Sequence, residues 1–116
     1  MPTASSRMMM LSTLLGAVRS VDKITPTAAP IVSVEYGRLR QTQELQEQEY
    51  IIKVHIAGVT GKDEDVLMDR NSEVRAIIMR NGFYNLAPST IPANTDDFSG
   101  METLTTTTSC YAIVGS

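Results

Sequence analysis

Apolar and polar positions alternate most regularly from Tyr50 to Ile56. Tyr50, Ile52, Val54 and Ile56 share one side of an extended chain, and Ile51, Lys53 and His55 share the other. That is the period of a strand with one face covered and one wetter. Val32, Val34 and Tyr36 alternate with Ser33 and Glu35, which predicts an earlier strand over residues 31–36. Between the two lies Gly37 to Glu49, rich in Gln and Glu, with Leu39 and Leu45 as its apolar residues. Two apolar residues cannot anchor a helix, so this stretch reads as a solvated hairpin connection.

A helical period follows the second strand. Val66, Leu67, Val74, Ile77 and Ile78 supply the apolar stripe. Asn71-Ser72 interrupts it and predicts a cap for a better helix over about residues 73–80, with Ile77 and Ile78 buried and Arg75 and Arg80 outward. Asn81-Gly82 is a strong stop, because Gly readily takes the left-handed conformation past a helix end. Phe83 to Leu86 then predicts a short third strand. After Leu86 the pattern fades. Residues 91–116 read as an extended, Thr-rich tail, with Tyr111 to Val114 β-prone enough to add an edge strand on a partner.

At the other end, Met8, Leu11, Leu15 and Val18 fall on one face of a helix expected from Arg7 to Asp22, with Ser5 or Ser6 as its N-cap. Its Ser, Met and Arg content and near absence of acids also match a transit peptide. Thr25 to Pro30 is a linker, since Pro26 and Pro30 stop a helix from running on. The expected architecture is α+β. It comprises a three-stranded antiparallel sheet with one packed helix, an N-terminal helix and an extended C-terminal tail. The expected divisions are 1–30, 31–90 and 91–116.

With 116 residues and 5% aromatics, the chain can build one modest aliphatic core. The net charge of −3 argues against a general nucleic-acid binder. The charge is uneven. Residues 1–30 hold Arg7, Arg19 and Lys23 against Asp22, and the remainder carries 7 basic and 12 acidic side chains. A basic, apolar head on an acidic body suggests docking at the head, with Met8, Leu11 and Leu15 as contacts in a partner's groove or on the body. One cysteine, Cys110, permits no intrachain disulfide and fits a reducing, intracellular setting. No run approaches the ~20 apolar residues needed to span a bilayer.

Candidate chemistry adds little. His55 is the single histidine and lacks the companions a zinc site needs. Asp63, Asp65 and Asp69 invite a calcium-loop reading, but Met68 stands where the loop requires Gly and Val74 where it requires Glu. Cys110 has no local base. No cofactor, metal or enzymatic activity is expected. Arg38 and Arg40 lie on the same side of an extended chain, where rigid guanidinium forks suit carboxylates on a partner.

Arg38-Leu-Arg-Gln-Thr-Gln-Glu-Leu-Gln46, then Tyr50 and Lys53-Val54, with Arg75-Ala-Ile77 and Gly82 further on, resembles the small CpcD-like linker domains of phycobilisomes, the core-linker variety especially. The similarity covers about residues 31–90. It departs where Val54-His-Ile56 stands in place of Val-Pro-Tyr and Asn81-Gly82 in place of Gly-Gly. It implies a non-catalytic linker seated in a ring of phycobiliproteins at the thylakoid surface, with Arg38, Arg40, Gln41, Tyr50 and Lys53 as contact residues. The alternative expectation is a structural component of a virion or other self-assembling shell.

Overall fold

The computed structural model describes residues 2–19, 27–58, 60–89, 93–98 and 101–115, with backbone only for 93–98 and 101. The order is α1 (Ala4–Leu15), β1 (Ile31–Gln41), β2 (Gln46–Ala57), α2 (Gly61–Arg80), β3 (Ala93–Phe98) and β4 (Met101–Val114). The four strands form one antiparallel sheet in the order β1-β2-β4-β3. The α+β class holds, with a small antiparallel sheet and packed helices.

β2 is the strand its alternation predicts. Tyr50, Ile52, Val54 and Ile56 are all buried, and Val32 and Val34 join them from β1 on the same face. The hairpin joining β1 to β2 is more regular than a solvated connection, and both strands run on to a four-residue turn. There Thr42 captures Leu45 through backbone and hydroxyl bonds of 2.9–3.2 Å. The register slips between Tyr36 and Leu39. At this bulge Gln48 donates to the Gly37 carbonyl and Glu49 accepts from the Arg38 amide, so side chains satisfy the backbone that the ladder leaves free.

The largest correction concerns the expected C-terminal tail. Residues 101–114 form β4, which lies inside the sheet and pairs with β2 from Gln46↔Val114 to Ala57↔Thr103. Leu104, Cys110, Ala112 and Val114 enter the core. Thr106 and Thr108 face it too, and their hydroxyls bond to Asn71 Oδ1 and Ser89 Oγ at 3.0 and 2.8 Å. Threonine is β-branched and favours strands, and these partners remove the cost of burying its oxygen. The expected third strand at 83–86 is instead a single bridge, Tyr84↔Tyr111, along the edge of β4. The sheet therefore has four strands, and two of them arise from the expected tail.

α2 is one helix of 20 residues. Thr60 caps it in a reciprocal box with Asp63, so the residues expected as an acidic loop form its first turn. Asn71 does not break it. Its amide reaches Ser89 at 2.9 Å and Thr106, while Ser72 bonds back to Met68 O. The helix buries Leu67, Asn71, Val74 and Ile78, with Ile77 partly buried. Arg75, expected outward, turns to the chain and donates to Ala87 O at 2.7 Å. Asn81 caps the helix and Gly82, at φ 81°, turns the chain away.

α1 starts earlier and ends earlier than expected. Thr3 is its N-cap, and Gly16 closes it in the left-handed region at φ 59°. The expected extension through residues 20–22 lies outside the described residues. Met8, Leu11 and Leu15 are buried in the same core as β2 and α2, while Val18 is half-exposed and pairs with Ser33. Two bonds pin the helix: Tyr50 Oη donates to Ala4 O at 2.7 Å and Arg70 to Leu15 O at 3.0 Å. These three apolar residues therefore fill the chain's own core and are not a surface for a partner.

Candidate interaction site

The residues expected to meet a partner divide by burial. Tyr50, with Met8, Leu11 and Leu15, is inaccessible. Its ring stands edge-on to Phe83 and beside Tyr36, at centroid distances of 5.7 and 5.9 Å. Burial pushes its phenol up to about 12, so it remains a hydroxyl donor to α1 across the physiological range. Arg38 and Gln41 are exposed on β1. Lys53 is half-buried and pairs with Glu35 at 3.7 Å. Arg40 is committed internally. Its guanidinium lies 3.8 Å from the Tyr111 ring centroid and 3.5 Å from Glu47. Glu47 also accepts from the Tyr84 hydroxyl.

Exposed apolar groups flank Arg38. Tyr36 and Leu39 are 42% and 52% exposed on β1, and Leu45 is 38% exposed in the turn. Val18 bonds to the outer edge of β1 at Val32 and Val34. Beyond Val34, no strand covers that edge among the described residues. A shallow cleft of about 290 Å³ opens at the turn, lined by residues 41–46 with Val114 and Gly115. Free edge groups, an aromatic ring, an arginine and two leucines make a surface able to bind another polypeptide.

The structure also joins a pair that the sequence pattern does not reveal. Ser33 Oγ and His55 Nε2 lie 2.9 Å apart, and His55 Nδ1 is 3.1 Å from Thr105 Oγ1. The residues are far apart in sequence, and the pairing Ile31↔His55 brings Ser33 to the neighbouring diagonal position. A serine beside a histidine resembles a nucleophile and its base. Three features weigh against that use. Both residues are buried, the Nδ1 partner is a neutral hydroxyl, and burial pushes the imidazole down to about 4, with Lys53 adding to the effect. Such a ring is a weak proton acceptor at neutral pH. The pair is a polar tie across β1, β2 and β4.

This tie has a pH signature. Unfolded His55 protonates near its ordinary 6.5, whereas the folded ring resists until about 4. Its contribution is complete above the unfolded value and is lost as pH falls from there toward about 4. The expected loss is about 3 kcal/mol at the bottom of that window. Urea unfolding of wild type and His55→Asn across this range isolates the term, because other titrations are common to both chains. Parallel pH profiles for the two would refute the assignment.

Cys110 is buried, with its thiol pushed up to about 12 by burial and then by Glu49, so it is unsuited to nucleophilic attack. Among the described residues no three His, Cys, Asp or Glu side chains converge as a metal site, and no helix is long and apolar enough to cross a membrane. Fold and surface together define a small α+β protein with a binding edge. No family model and no curated protein matches the sequence.

Proposed function

We propose that the chain is a non-catalytic structural subunit that docks into a larger protein assembly through the β1–β2 hairpin end. The observation carrying this reading is the uncovered edge of β1, where Tyr36, Arg38 and Leu39 stand exposed. A self-assembling shell, of the kind a virion uses, is the favoured setting. The folded body draws its core from α1 and β4 as well as from residues 31–90, so the whole chain behaves as one building block. The phycobilisome linker setting is the second proposal. Its support is that Arg38 and Gln41, two residues of the resembling segment, are accessible. The absorption spectrum of the native assembly separates the settings, since bilin-bearing partners absorb visible light and a colourless shell does not.

Arg38→Ala tests the docking surface. This arginine makes no ion pair among the described residues, so folding stability should move by no more than ~0.5 kcal/mol. Removing a charge desolvated against a partner costs about 2–5 kcal/mol, and the subunit should dissociate at lower salt than wild type. Retention with unchanged salt dependence would remove Arg38 from the interface. Arg40→Ala is a poorer probe, because loss of its stack on Tyr111 costs the fold itself about 0.5–2 kcal/mol.

A further inference from the structure

Charge is segregated along the length of this molecule, which measures 47 × 24 × 21 Å. One end is marked by the pairing Tyr36↔Tyr50 and by Phe83 packed on Tyr50. Arg7 lies over the Phe83 ring at 5.9 Å and Arg19 over the Tyr36 ring at 5.3 Å. Arg38 is two residues along β1. The ion pairs among the described residues use Arg40, Lys53 and Arg70, so Arg7, Arg19 and Arg38 all lack a carboxylate partner there. The Nε of Arg7 is buried without a hydrogen-bond acceptor. Arginines resting on aromatic rings are held in place and partly stripped of water, ready for an anionic surface.

The opposite end is acidic. From Tyr50 to Ala57 the chain advances about 23 Å along β2. There Glu64, Asp65 and Asp69 stand exposed on the first turns of α2. Glu102 is exposed beside them, its carbonyl accepting from Gly58 N at 3.1 Å. None of these four carboxylates is ion-paired among the described residues, and Lys62 is the one base in that neighbourhood. The two ends are thus complementary to each other, and neither is complementary to itself.

We infer that the partner at the basic end is the acidic end of a second copy, so that copies join head to tail. This deepens the assembly reading and rests on it. A two-fold contact between like ends would set arginines against arginines, or carboxylates against carboxylates. Association must therefore be heterologous, giving a closed ring if the rotation between copies closes and a filament if it does not. The exposed Tyr36 and Leu39 at one end, and Val66 and Met68 at the other, supply apolar area within the contact.

The test is reciprocal charge exchange in the full-length chain, read by sedimentation velocity. Wild type should associate at about 0.05 M salt and weaken at least tenfold by about 0.5 M, as screening shortens toward ~3–10 Å. Arg19→Glu with Arg38→Glu should leave a folded monomer with two acidic ends. Asp69→Lys with Glu102→Lys should leave a folded monomer with two basic ends. All four positions are exposed, and circular dichroism confirms that each variant is folded. An equimolar mixture of the two variants should regain wild-type association. A wild type that stays monomeric at low salt overturns the inference, as does either variant associating alone or a mixture that stays monomeric. If wild type is monomeric and Arg38→Ala still frees the chain from its native assembly, the docking reading stands and only the self-partner falls.

Discussion

Removal of residues 101–116 is expected to abolish folding. β4 pairs with β2 along its whole length and with β3 on its other side, so its loss leaves β2 as an open edge with its core face uncovered. Leu104, Cys110, Ala112 and Val114 leave the core, and Asn71 loses Thr106. Each fully buried large apolar side chain contributes about 1.5–3 kcal/mol, and a buried polar group left unpaired costs about 1–3 kcal/mol more. Against a total of ~5–15 kcal/mol for a domain of this kind, little would remain. The truncated chain should lose near-ultraviolet circular dichroism and be digested rapidly by protease. A cooperative unfolding transition in that chain would contradict the placement of β4. The tail expected from sequence would have been dispensable, so the two readings differ in sign.

Leu11→Ala is expected to destabilise the folded chain by about 2–5 kcal/mol, with a fall in Tm of roughly 10 °C or more. Leu11 is fully buried between Met8 and Leu15 on the face that α1 presents to the sheet. The tie from Tyr50 to Ala4 and the tie from Arg70 to Leu15 hold both ends of α1, so the helix cannot slide to refill the cavity. Met9, 69% exposed on the opposite face, is the control, and Met9→Ala should change stability by under ~0.5 kcal/mol. Thermal unfolding of the two variants decides the matter. Equal, small effects would mean that α1 is a detachable arm, as the basic and apolar composition of the first 30 residues suggests.

Part of this was legible without coordinates. The four alternating residues of β2 require one buried face, and the structure buries all four. Val32 and Val34 follow the same rule, and Ile78 and Gly82 fall where the helical period and its stop place them. Met8, Leu11 and Leu15 had to leave water, although spacing could not say whether another chain or this one would cover them.

The chain's own sequence determined two helices, two strands and an aliphatic core, because side-chain periodicity and turn chemistry act over a few residues. Only the tertiary structure decided the rest. A run of threonines is polar by composition, and its hydroxyls can be buried only where Asn71 and Ser89, from distant segments, supply partners. Asn71 reads as a helix breaker until its amide is drawn into that same network. Ser33 meets His55 through strand register, and the opposed charged ends arise because α1, the hairpin and α2 are folded to set places along one axis. Each of these is a non-local pairing, and its energy depends on a neighbour that no local pattern names.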